Sequence, residues 1–140
     1  MAKIIPITEH FQHFLREMKE SFWGDVYGQT KLVHRPDSYL YTGVPRARNR
    51  LTGVVYKPAY IAWWGLVNLG HFLRHHDEAS RTVFLKQVNW LESNAVVRAD
   101  GSVVWPNNFD CLQGKTFLKA PWISAYDQGL VISALVRAIA

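Results

Sequence analysis

From Thr8 to about Trp23 the apolar residues Phe11, Phe14, Leu15, Met18 and Phe22 recur at helical spacing, and Glu9, Arg16, Lys19 and Glu20 fall on the opposite side. Thr8 supplies an N-cap, and Gly24 and Gly28 break the pattern. Periodicity then fades. Val26 to Lys57 is rich in Gly, Pro, Asp and Arg and reads as a long, mostly irregular connection with short extended pieces such as Ser38–Thr42. A second helix is predicted from Pro58, suited to a first helical turn, to about His75. It is apolar nearly all round, through Tyr60, Ile61, Trp63, Trp64, Leu66, Leu69 and Phe72, so it should be buried on several sides. A third helix is predicted from about Glu78 to Ser93, with Val83, Phe84, Val88 and Leu91 on one face. The short His76-Asp77 link makes these two an antiparallel helical hairpin.

Beyond them, Asp100-Gly101 between Val96-Val97 and Val103-Val104 predicts a β-hairpin. Asn107 to Pro121 reads as a loop, and a last apolar helix begins at about Ser124. Gly65-Leu66-Val67 returns as Gly129-Leu130-Val131, each early in an apolar helix, a faint internal echo. No cap, glycine or breaker stands near Ala140, so the pattern predicts a helix that is cut short there.

Composition adds bounds. A chain of 140 residues, 49% hydrophobic and 19% charged, can bury a real core and is not of the disordered class. Six Trp, six Tyr and seven Phe serve sugar stacking as well as packing, and packing accounts for most of them. The net charge of +5 favours polyanionic partners without choosing among them, and no nucleic-acid-recognition signature accompanies it. Cys111 stands alone, which excludes an internal disulfide and a multi-cysteine zinc site. No signal-peptide pattern opens the chain, and Ala59–Leu73 is too short and too interrupted to span a bilayer. A soluble cytoplasmic protein is the expectation.

The candidate chemistry is sparse. Arg46, Arg48 and Arg50 alternate, so in an extended segment they point the same way and can meet carboxylates or sulfates, and Lys57 extends this cationic cluster. A solvated basic loop is the competing reading. Trp105, beside Asn107, Asn108 and Asp110, is either a sugar-stacking platform or a core residue under the hairpin. Gln128 either bonds a sugar hydroxyl or bridges neighbouring elements. Asp127 is explained as a complement to the helix dipole, and Trp122 as fixing the entry to its helix. His10 with His13, and His71 with His75, have chelating spacing but no further ligands, so no metal and no cofactor is expected.

The run Trp122-Ile-Ser124-Ala125-Tyr-Asp-Gln128-Gly129, continued by Ile132-Ser133 and by Leu135, Arg137 and Ala138, resembles the C-terminal domain of the D-glucuronyl C5-epimerases. Tyr126-Asp127 stand where that family has Met-Ala or Leu-Ala. Three earlier landmarks follow the same order: Tyr56-Lys57-Pro58 leading to Ile61-Ala62 and Gly65-Leu66, the Asp100-Gly101 hairpin ending in Trp105-Pro106, and Phe109-Asp110. The resemblance covers about residues 38–140 and implies the opening part of an α/α toroid, mainly α with one β-hairpin, preceded by a separate segment 1–37. It further implies an isomerase that inverts C5 of glucuronate units in a polysaccharide by removing and returning a proton. The family's catalytic residues lie beyond the matched helix, so the catalytic residues are unknown and independent catalysis is not expected. Acidic or uronate-containing polysaccharide is then the expected partner, with Arg46, Arg48, Arg50, Trp105 and Gln128 as substrate-binding candidates. Another copy or a missing C-terminal half is expected to cover exposed apolar faces on the second and last helices. The alternatives are a non-catalytic acidic-polysaccharide-binding module and a helical interaction protein.

Overall fold

The computed structural model describes residues 42–139 and, as backbone, Thr30–Leu32. The helix expected over 8–23, and all of Ser38–Thr42 except Thr42, lie outside the described residues. Among those described, the architecture is mainly α, with three helices and small antiparallel hairpins.

The chain enters through β1 (Thr30–Leu32), β2 (Ala47–Asn49) and β3 (Gly53–Val55), an antiparallel sheet in which β2 is central. The sequence reads Val26–Lys57 as mostly irregular with short extended pieces; in its described part the extended pieces are these three short strands, joined in one sheet. The turn between β2 and β3 carries no dipeptide signature; the Asn49 side chain builds it, its Oδ1 accepting from the N–H groups of Leu51 (2.8 Å) and Thr52 (3.3 Å). Gly53 completes the turn at φ +81°, where a side chain would be strained.

Helix α1 (Pro58–His75) follows, with Pro58 in its first turn and a left-handed His76 closing it. Asp77 then caps α2 (Glu78–Ser93), its carboxylate accepting from the N–H groups of Ala79 and Ser80. His71 joins this corner through a 2.9 Å contact of Nδ1 with the Ser80 hydroxyl, which also donates to Asp77. The expected boundaries of both helices and the two-residue link hold. Gly65 permits the close approach of the pair, since a Cβ there would lie 3.2 Å from Gln87 Cβ and 3.4 Å from Phe84.

Two further hairpins precede the last helix. β4 (Val96–Val97) pairs with β5 (Val103–Val104) through the Asp100-Gly101 turn, as predicted. β6 (Cys111–Gln113) pairs with β7 (Thr116–Leu118) around Gly114-Lys115, inside the stretch read as a loop. Gly114, at φ +60°, makes that two-residue turn possible. Helix α3 (Ala125–Ile139) then returns along α1.

The core is organised around α1, which packs against both α2 and α3. Ile61, Trp63, Leu66 and Leu69 of α1 are essentially solvent-free and meet Phe84 and Leu91 of α2 and Val131 and Ala134 of α3. Burying each such large side chain contributes about 1.5–3 kcal/mol, so the all-round apolar character of α1 has a direct structural outcome. Ala47 of β2 joins the same core. The outer face of α3 is different: Ile132, Val136 and Ile139 are exposed although apolar. Among the described residues, no helix is long and apolar enough to cross a membrane.

Candidate functional site

Burial alternates along β2. Ala47 and Asn49 turn inward, while Arg46 and Arg48 are exposed and Arg50 is exposed in the following turn. Three guanidinium groups within five residues are thus exposed, one before β2, one on it and one in the turn that follows. Arg48 pairs across the ladder with exposed Val54 on one side and with Lys31 on the other.

Lys57 does not belong to this row. It sits at the N-cap of α1 in an extended conformation, and its ammonium lies 3.8 Å from Oδ1 of Asp127, at the start of α3. The same Nζ lies 5.1 Å from the ring centre of Trp122 and 5.8 Å from that of Tyr60, within cation–π range. Grouping Lys57 with the arginines is corrected accordingly: sequence proximity does not tell which way a side chain turns where a strand gives way to a helix.

Asp127 is fully buried. Ser124 Oγ accepts from its backbone N–H, so Asp127 takes the third helical position after a serine cap. Its carboxylate accepts a hydrogen bond from Nδ2 of Asn107, also fully buried. Burial pushes the Asp127 carboxyl above the ordinary carboxylate range, while Lys57, Asn107 and Ser124 pull in the other direction. Asp127 therefore does more than complement a helix dipole; it is the acid of a closed Lys57–Asp127–Asn107 cluster. Asp127 Oδ1 and Asn107 Oδ1 make no hydrogen bond within the described structure.

Trp105 and Gln128 lie next to this cluster and act on each other. The Trp105 N–H donates to Gln128 Oε1 (2.8 Å), and Gln128 Nε2 donates to the Trp105 carbonyl (2.9 Å) and to that of Ser124 (3.2 Å). Trp105 is only 7% exposed, and its indole N–H donates to the Leu91 carbonyl at 2.7 Å. Of the two readings open for each residue, the structure takes the packing one: a tryptophan whose ring is enclosed offers no face for a sugar to stack on. Asn107 and Trp122 exchange both backbone hydrogen bonds, and the Trp122 indole donates to the Phe109 carbonyl and meets the Phe109 ring edge-on at 5.7 Å. The residues from Trp105 to Gln128 thus form one joint between the hairpin region and α3.

Arg46, Arg48 and Arg50 are apart from that joint, so the five candidates do not make a single site. The residues overlooked were Asn107 and the buried state of Asp127. The Ser124-x-x-Asp127 spacing does signal the cap, but nothing local announces that Asn107 or Lys57 will meet the carboxylate. Among the described residues no cluster of His, Cys, Asp and Glu could hold a metal ion, and His71 and His75 instead have their rings 4.6 Å apart. Cys111 is buried. Comparisons with protein-family models, curated proteins and solved structures return no match for the chain.

Proposed function

We propose that the chain belongs to a domain that binds uronate-containing polysaccharide, related to the D-glucuronyl C5-epimerases, with Arg46, Arg48 and Arg50 as its carboxylate-facing row. The observation that carries this reading is the exposure of Arg46 just before β2, Arg48 within it and Arg50 in the turn after it, alternating with buried Ala47 and Asn49. Guanidinium groups pair carboxylates in a planar, two-pronged manner that suits a repeating acidic chain. The relationship to the epimerases rests on the sequence landmarks, of which Trp105, Phe109, Trp122 and Gln128, all within residues 105–128, pack into one joint. A helical hairpin packed against a third helix is also the unit from which an α/α toroid is built, and the toroid is part of the proposal. Binding, not proton transfer, is assigned to the arginines, and no residue receives a catalytic role.

Affinity electrophoresis through a gel containing a non-sulfated glucuronate polymer tests the reading. The wild type should be retarded, and Arg46→Ala/Arg48→Ala/Arg50→Ala should migrate freely while melting at the same temperature. Exposed ion pairs contribute about 0.2–1 kcal/mol each, so the triple variant should bind at least about threefold more weakly. Absence of retardation, or retardation that survives the triple change, contradicts the proposal. Incubating the polymer with the protein in D2O reports separately whether the C5 protons exchange.

A second reading, a helical interaction surface, is favoured by the exposed Ile132, Val136 and Ile139 on α3. Apolar stripes of this kind mark contact surfaces. Pairing of two copies through it predicts a sedimentation-velocity mass that rises with concentration and returns to the monomer value in Ile132→Asp/Val136→Asp. A monomer at every concentration contradicts it.

A further inference from the structure

The Lys57–Asp127–Asn107 cluster places an amine and a carboxamide on the two oxygens of one enclosed carboxylate. Lys57 Nζ approaches Oδ1 of Asp127 at 3.8 Å, and Asn107 Nδ2 donates to Oδ2. Asn107 and Asp127 are fully buried, the side chain of Lys57 is 15% exposed, and the rings of Trp122 and Tyr60 flank the ammonium. Three segments distant in sequence meet here: the residue before α1, the exit of the β4–β5 hairpin and the first turn of α3. Among the described residues the Asn107 carbonyl oxygen has no hydrogen-bond partner, although it is buried. Such an orphan has a cost, and its presence in a packed joint needs an explanation.

We propose that this cluster is a self-modification site, in which Lys57 and Asn107 join through an intramolecular amide with Asp127 as the proton carrier. Lys57 first passes one proton to Asp127, and the freed amine lone pair attacks Cγ of Asn107. The carbonyl electron pair moves onto Oδ1, where the protonated Asp127 can donate once the amide has turned over. The new C–N bond forms as the amine loses a second proton through Asp127 to Nδ2. The C–Nδ2 bond then breaks, the carbonyl is restored and ammonia departs, taking up the remaining proton as ammonium. Asp127 ends as a carboxylate. The balance is one lysine ammonium and one carboxamide in, one secondary amide and one ammonium ion out, with no oxidant or other reactant.

The surroundings favour each step. Burial holds the Asp127 carboxyl above its ordinary range, which suits a group that must carry a proton and give it back. Restricted water access makes the neutral amine and neutral acid less unfavourable relative to the ion pair. The amine and the amide each contact an oxygen of the same Asp127 carboxylate, so a reaction between them is intramolecular. This inference is independent of the polysaccharide reading.

Intact mass spectrometry of the purified, folded protein, followed by peptide sequencing, is the test. The expected result is a chain lighter than its sequence by one ammonia, and a branched peptide in which Lys57 is joined to Asn107. Lys57→Arg, which keeps the charge, and Asp127→Ala should each show the full sequence mass. A wild-type mass equal to that of the sequence overturns the proposal, and this reading does not depend on whether any variant folds. A loss of ammonia without a branched peptide also overturns it, because cyclisation of Asn107 onto its own backbone has the same mass change.

Discussion

Gly65 and Gly129 occupy matching places in the echoed Gly-Leu-Val triplets, yet their surroundings differ. A Cβ at Gly65 meets the stem of Gln87 and the Phe84 ring, whereas at Gly129 it meets nothing within 4 Å. Helix propensity alone favours alanine over glycine by about 1 kcal/mol. Gly129→Ala should therefore stabilise the protein by about that amount in urea denaturation. Gly65→Ala should destabilise it, because overpacking costs about 1–3 kcal/mol and exceeds the propensity gain. The same sign for both would contradict the assigned packing of α1 on α2. At this scale the arginine row was legible from spacing, since alternation is a property of a strand whatever surrounds it. Trp105 and Gln128 were not, because their partners are a carbonyl on α2 and each other across the hairpin–helix joint. Side chains with both packing and binding uses acquire one of them only from tertiary neighbours.

Elements with a dense local code were read well. Helix α1 was bounded by Pro58 and by saturation with apolar residues, and α2 by Asp77 and a clean amphipathic stripe. The β6–β7 hairpin is weakly marked although Gly114-Lys115 is an adequate two-residue turn; its strands are three residues each, with Cys111 alone buried, so hydrophobic alternation hardly marks them. The β2–β3 hairpin was overlooked because its turn is set by the Asn49 side chain.

The caps and turns also set the response to acid. Asp77 is held below the ordinary carboxylate range chiefly by the Ser80 hydroxyl, Asp100 by the Ser102 hydroxyl, and Asp110 by the Ala120 N–H. What these groups contribute is present above their unfolded-state pKa and is lost as pH falls through the lowered folded-state value. Asp127 has the opposite sign. Its folded-state pKa is raised, so its contribution is complete below the unfolded-state value and lost as pH rises through the raised one. Between about pH 7 and pH 4 the wild-type urea midpoint should therefore gain on that of Asp127→Asn as pH falls. Parallel curves would show that burial does not perturb this carboxyl.

On the scale of the whole molecule, α1 is the axis, α2 and α3 are its flanks, and the hairpins connect and enclose them. The mainly α class follows from three strongly patterned segments. The arrangement of their ends around Asp127 depends on a carboxylate, an amine and a carboxamide brought together from three parts of the chain. Local pattern encodes no such meeting, which is why the joint was not anticipated while the helices were. Among the described residues the molecule separates an enclosed polar joint from exposed arginines on and beside β2, and the proposal assigns the polymeric acid to the arginines.

The most direct measurement compares binding of a glucuronate polymer with binding of the same polymer after its carboxyl groups are reduced to alcohols. Chain length, sugar rings and hydroxyl groups are then nearly constant, and charge alone changes. Recognition through the arginine row predicts a dissociation constant at least about threefold higher for the reduced polymer. Equal affinity for both polymers, or no affinity for either, would contradict the account.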